Sequence, residues 1–243
     1  MGGYNMLTVA NVHFSYEKTP ILKGVSISLA THEIIGLVGP NGSGKTTLIR
    51  AIMNILEPSF GEIKINHKLN TLPQVQKEVM YLSSDDVLPE FLTGQEYLLL
   101  LLSLYKKNNN ELLLSKLLNY YSMDHLFYKL IESYSHETKK KLQLICAFII
   151  QPNLLIIDET LNGIDIEARE ITKRLLTKLL EKHTAIFLCT HDFSLVEELK
   201  SRAILIHNGE IYYDSNEYLN NHQNLREIFY DMIKTGDIDY DLD

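Results

Sequence analysis

Gly39-Pro40-Asn41-Gly42-Ser43-Gly44-Lys45-Thr46 fits the pattern GxxxxGK[ST], and each residue type in it has a chemical reason. Glycines let backbone N–H groups close around a phosphate, because no Cβ blocks the approach. A helix starting near Lys45 turns its positive end toward the same point. Lys45 can then reach the β- and γ-phosphates, and the Thr46 hydroxyl can ligate Mg²⁺. A second constellation, Leu154-Leu155-Ile156-Ile157-Asp158-Glu159, is an apolar run ending in two carboxylates. Asp158 is suited to hold Mg²⁺ and Glu159 to orient or deprotonate an attacking water. A third apolar run, Ala185 to Cys189, ends at Thr190-His191-Asp192, where His191 could hydrogen-bond a γ-phosphate or its attacking water.

The elements that must position these groups follow from periodicity. Ile34 to Val38 reads as a buried strand, and Thr47 to Leu56 as a helix that stops before Pro58. Leu7 to Tyr16, Val25 to Leu29 and Gly61 to Ile65 read as strands, the second by clean alternation. From Gly94 to Ile150 the pattern becomes helical, with breaks at Lys106–Asn110 and near Ser133–Ser135. Strands return at Leu154–Ile157, Ala185–Cys189 and Ala203–Ile206. Asn208-Gly209 predicts a hairpin with Ile211–Tyr213. An amphipathic helix presents Ile171, Leu175, Leu176, Leu179 and Leu180 on one face. A short helix over Leu225–Ile233 and an acidic end close the chain. The expected architecture is an α/β phosphate-loop domain with an inserted helical block over about 86–150. The tail, about 234–243, is expected to be disordered.

With 243 residues, 45% of them hydrophobic and 22% charged, the chain can bury a sizeable core. A net charge of −8 argues against nucleic acid as a partner. Cys146 and Cys189 lie in apolar runs and read as buried reduced thiols. The nine histidines form neither HExxH nor a Cys/His cluster, so no metal site built from protein ligands alone is expected. Tyr97 to Leu104, the greasiest run, is too short to span a bilayer and reads as a buried helix. Without a signal-peptide pattern at the N-terminus, a cytoplasmic chain is expected.

In this order and spacing the motifs resemble the ATP-binding subunits of ABC transporters, over about Leu7 to Ile233. The resemblance implies a RecA-like core, an antiparallel β subdomain and an inserted α-helical subdomain in one domain over 1–243. It implies ATP and Mg²⁺ as ligands. Tyr16 would stack on adenine, and Gly39, Pro40, Asn41, Gly42, Ser43, Gly44, Lys45, Thr46 and Thr47 would hold the phosphates. Thr46 and Asp158 would serve the metal; Glu159, His191 and Lys45 would be catalytic. Asn162-Gly163-Ile164-Asp165 matches the D-loop. Hydrolysis would drive a separate membrane-spanning permease, an exporter by its layout, from the inner face of the membrane, with the contact around Ser84 to Thr93.

Two departures stand out. The signature Leu-Ser-Gly-Gly-Gln falls on Tyr134-Ser135-His136-Glu137-Thr138, which keeps Ser135 and loses both glycines. In the family this segment caps the γ-phosphate held by the other subunit. Glu137 would bring a carboxylate toward that anion, and like charges 4 Å apart cost about 4 kcal/mol at an effective dielectric of 20. Lys139, Lys140 and Lys141 read as a solvated basic face. By the resemblance, the Q-loop glutamine falls on Ser84, and Ser84 or Asp85 would take over its role at Mg²⁺. Homodimer and heterodimer stay equally open, and so does a regulatory subunit that binds ATP but hydrolyses little.

Overall fold

The computed structural model describes residues 4–85, 87–216 and 224–234. Strands β1 (Asn5–Tyr16), β2 (Thr19–Ala30), β4 (Phe60–Ile65) and β5 (Lys68–Leu69) form an antiparallel sheet in the order β2-β1-β4-β5. Along β2, Val25, Ile27 and Leu29 are buried while the serines between them lie nearer the surface, as the alternation predicts.

The second sheet has six strands in the order β10-β9-β3-β8-β7-β6. They are β3 (Ile34–Val38), β6 (Val79–Leu82), β7 (Leu154–Asp158), β8 (Ala185–Cys189), β9 (Arg202–His207) and β10 (Glu210–Asp214). All but the β9–β10 pair run parallel. Every residue of β3, β7 and β8 is buried, which is why these strands read as unbroken apolar runs. The register aligns Leu37 with Cys189, Cys189 with Asp158 and Leu82 with Ile157. Four strands therefore release their chains at one edge: the phosphate loop after β3, Glu159 after β7, His191 beyond β8 and Ser84 beyond β6.

Helix α1 (Lys45–Ile52) follows the phosphate loop and is shorter than the periodicity predicts, stopping before Asn54, which has φ 56°. The helical block comprises α2 (Gly94–Tyr105), α3 (Glu111–Tyr120) and α4 (His136–Ile150). Beyond it lie α5 (Ile166–Glu181), α6 (Phe193–Glu198) and α7 (Leu225–Lys234). Five of these helices begin at a polar residue whose side chain accepts from a first-turn N–H: Thr93, Asn110, Ser135, Asp165 and Asp192. Thr93 and Glu96 complete a reciprocal capping box.

Tyr97–Leu104 departs from expectation. Leu98 and Leu102, one helical turn apart, are buried, while Leu99, Leu100 and Leu104 are about half exposed. Five successive leucines, Leu98 to Leu102, carry no polar residue to reveal which face points out; Ser103, just beyond them, is exposed. Cys146 and Cys189 are buried free thiols. The acidic end lies, beyond Lys234, outside the described residues, as does residue 86 at the start of the expected helical block. No helix among the described residues is long and apolar enough to cross a membrane.

Candidate functional site

The chain leaves β3 through Gly39, where a Cβ would stand 2.4 Å from the Ile206 carbonyl oxygen. It turns at Gly42 (φ 79°) and enters α1 at Gly44 (φ 105°), with no side chain bonded to the first-turn N–H groups. Those amides are left for a ligand. The Lys45 ammonium donates to the Gly39 and Pro40 carbonyls at 2.7 and 2.9 Å. The hairpin turn Asn208-Gly209 braces the loop from behind. The Gly209 N–H donates to the Ser43 carbonyl, and the Gly209 carbonyl accepts from the Lys23 N–H of β2.

A cleft of about 360 Å³ opens over this loop. Asn41, Gly42, Gly44, Lys45, Thr46 and Thr47 line one side; Ser84, Asp158 and Glu159 close it from the ends of β6 and β7. The structure thus gathers the phosphate loop, both carboxylates and Ser84. Pro40 stands beside the cleft without lining it, and Gly39 and Ser43 are buried beneath the loop. Tyr16 is exposed at the end of β1, with its ring 4.9 Å from Phe14, and does not line the cleft. Ile21 does line it, a contact that β2 brings in and that no sequence pattern marks.

Asp158 is 4% exposed, and burial raises its carboxyl above the usual carboxylate range. The Tyr81 hydroxyl donates to its Oδ2 at 3.0 Å, and the Cys189 thiol is a second donor. Burial, with the Asp158 charge next to it, pushes the Tyr81 hydroxyl up to about 12. Neither partner was legible in the sequence, because both depend on which strands neighbour β7. Thr160 ties the strand ends together by donating to the Leu82 carbonyl at 3.1 Å.

Glu159 has a left-handed backbone (φ 52°), fixed by its N–H donating to the Cys189 carbonyl at 3.0 Å. Its Oε2 accepts from His191 Nδ1 at 3.0 Å and from Asn162 Nδ2 at 3.2 Å. His191 is largely exposed and reaches the cleft only through Glu159.

Ser135 stands apart from this cleft as the cap of α4. Its Oγ accepts from the Thr138 N–H at 3.2 Å and shares a hydrogen bond with the Thr138 hydroxyl at 2.8 Å. The three lysines that follow are not a solvated basic face. Lys139 pairs with Glu90 at 2.6 Å, and Lys140 donates to the Asn162 carbonyl. Lys141 bridges Glu137 at 2.8 Å and Asp165. The D-loop packs against the start of α4 and takes up two of these charges, which spacing alone could not disclose. Asp165 is held down to about 2 by the Ala168 N–H that it caps and by the Lys141 ammonium.

The groups present suit a nucleotide with a hard cation. Backbone amides at an uncapped helix start and one ammonium suit phosphate. The Thr46 hydroxyl, the Asp158 carboxylate and the Ser84 hydroxyl form an oxygen donor set of the kind Mg²⁺ takes. The buried Ser43 hydroxyl has no partner among the described residues, leaving a polar atom directly beneath the loop.

Known proteins agree with this geometry. The family model described as ABC transporter matches residues 22–162. The ABC-type transporter ATP-binding protein EcsA of Bacillus subtilis (strain 168) is 31% identical over 211 residues, 85% of each chain. The zinc import ATP-binding protein ZnuC of Wigglesworthia glossinidia brevipalpis is 29% identical over 226 residues, 93% of each chain. A solved structure described as an ATP binding subunit of an ABC transporter superposes with a TM-score of 0.86. It is 25% identical and covers 94% of this chain and 99% of its own. With its phosphate loop, paired carboxylates and ABC-type fold, this chain belongs to the ABC transporter family as an ATP-binding subunit.

Proposed function

We propose that the chain, a single ATP-binding domain with its helical part at about 86–150, hydrolyses ATP with Mg²⁺ to drive a separate membrane-spanning permease. The observation that carries this reading is the convergence of Lys45, Thr46, Asp158 and Glu159 on one cleft at one sheet edge. Lys45 exchanges the Gly39 and Pro40 carbonyls for β- and γ-phosphate oxygens, a stronger charge-assisted pairing. Thr46 and Asp158 would hold Mg²⁺, with Ser84 within the same wall; the ion would supply positive charge against the phosphates. The raised carboxyl of Asp158 favours a cation there, since an ionised buried carboxylate gains most from a positive neighbour. Glu159 orients the attacking water and takes its proton, and His191, already hydrogen-bonded to Glu159, faces the γ-phosphate. Tyr16, exposed at the end of β1, stacks on the base beyond the phosphate cleft.

Ser135 belongs to a second ATP site, completed by a dimer partner. Lys141 neutralises Glu137 and draws it toward the D-loop, so the charge on the altered signature is less obstructive than its sequence suggests. This favours a dimer of two copies, with a second ATP-binding subunit as the competing arrangement. The permease contact is placed around Ser84 to Thr93, where Val87 and Phe91 are exposed at 82% and 78%. The likeness to a zinc importer removes the ground for preferring an exporter, and direction follows the permease.

Steady-state ATP hydrolysis beside Glu159→Gln tests the reading. Turnover should fall at least ~100-fold in the variant while ATP binding persists. Wild-type turnover should rise more than linearly with protein concentration. Binding without turnover at every concentration would instead favour a regulatory subunit, the degenerate half of a heterodimer.

A further inference from the structure

Asn162 is held at three points. Its N–H donates to the Glu159 carbonyl at 3.0 Å, closing the turn after β7. Its carbonyl accepts from Lys140 Nζ at 2.5 Å, across from α4. Its side-chain Nδ2 donates to Glu159 Oε2 at 3.2 Å and lies 3.5 Å from His191 Nδ1. The next residue, Gly163, has φ 86°, and a Cβ there would stand 3.3 Å from Lys140 Nζ. The loop therefore lets the lysine come close.

We propose that Asn162 is a positioning residue for Glu159, and that Lys140, one turn beyond Ser135 on the helix that carries the altered signature, holds Asn162 in place. A glutamate side chain has three rotatable bonds, and a water-activating carboxylate gains rate from being kept in one orientation. The Asn162 amide and the His191 ring converge on one oxygen of that carboxylate and fix its plane. The Lys140 contact makes the orientation depend on where the start of α4 sits. Movement at the signature segment is thereby felt at the same chain's own base.

A purely structural Asn162 would only close the turn, and aspartate does that equally well. Asn162→Asp separates the two roles, because it keeps size and turn chemistry but turns a donor into a second carboxylate facing Glu159. The other charged or titratable groups around Glu159 are Asp158 from β7, Cys189 from β8, His191 beyond it, Lys45 from α1 and, behind Asn162, Lys140 from α4. None of them changes in the variant.

The inference rests on Glu159 being the base, so Glu159→Gln belongs in the same series. All measurements use the full chain at a protein concentration that saturates turnover. Expected for Asn162→Asp is a kcat about 30-fold down with KM for ATP within about twofold. Asn162→Ala should lose about tenfold in kcat with KM equally unmoved, and Lys140→Met about threefold. If Glu159→Gln is inactive while both Asn162 variants keep the wild-type kcat, the inference is overturned and the base assignment stands. If Glu159→Gln turns over like wild type, both fall. Should Asn162→Asp fold poorly, Asn162→Ala decides alone, with an unchanged kcat counting against the proposal.

Discussion

At α1 the chain enters through Gly44 in a left-handed conformation, and no side chain occupies the first-turn amides. At α4 the chain enters through Ser135, whose hydroxyl takes the Thr138 N–H, and Glu137 stands in the first turn. Both helices have positive ends and orphan donors. In α1 these are left open and the lysine behind them waits on weak carbonyl partners. In α4 one donor is consumed, a cap worth about 1 kcal/mol is in place, and a carboxylate complements the dipole. The features that make α4 a well-finished helix make it a poorer anion site than α1. The helix left unfinished is the one left open to an anion.

Removing the open site's charge should have the largest effect. Lys45→Ala loses a charge-assisted contact of about 3 kcal/mol, so ATP affinity should fall ~100-fold by fluorescent-nucleotide titration. Wild-type affinity in that variant would show that the α1 amides suffice alone, breaking the contrast at its first step.

Opening the closed site is the next test. His136→Gly with Glu137→Gly restores the glycines of the family signature. If α4 limits the dimer's turnover, hydrolysis should rise about fivefold, or about 1 kcal/mol. Two glycines in a first turn also destabilise a helix by up to about 1 kcal/mol each, so Tm should drop as turnover rises. Turnover that stays flat or falls would mean that the Ser135-His136-Glu137-Thr138 segment works as it stands.

The smallest effect concerns the ion pairs behind α4. Asp165 caps α5 and meets Lys141, and its carboxyl sits near 2 rather than near the unfolded value of about 3.9. A depressed carboxylate contributes stability above the unfolded value and loses it as pH falls toward the folded one. Asp165→Asn keeps a competent cap and loses the ion pair. Its urea midpoint should lie slightly below wild type at pH 7, and the two should converge as pH approaches 2. A deficit that persists at pH 2 would assign the effect to the cap.

The phosphate loop was legible because its chemistry demands particular residues at fixed spacing, and β3, β7 and β8 because a strand buried on both faces must be apolar throughout. That these strand ends share one edge followed once Glu159 and His191 were seen to leave apolar runs. Three things were hidden for a shared reason. The partners of Lys139, Lys140 and Lys141, the Tyr81 hydroxyl on Asp158 and the Asn162 amide on Glu159 all join residues distant in sequence or brought together by a turn. A spacing rule sees one element at a time. The exposed half of Tyr97–Leu104 was hidden differently, since five successive leucines carry no phase.

The Asn208-Gly209 turn was expected as a hairpin, yet its neighbours give it a wider consequence. Gly209 joins β2 to the phosphate loop through two peptide hydrogen bonds, to Lys23 and Ser43, and a Cβ there would lie 2.1 Å from the Ile21 carbonyl oxygen. Because the bonds run between backbone groups, a substitution scan would register this junction at Gly209 alone. Amide hydrogen exchange would register it at Lys23 and Gly209, whose protection should rise and fall together. A map of this protein drawn from sequence variation will therefore mark this seam between its two sheets at a single residue.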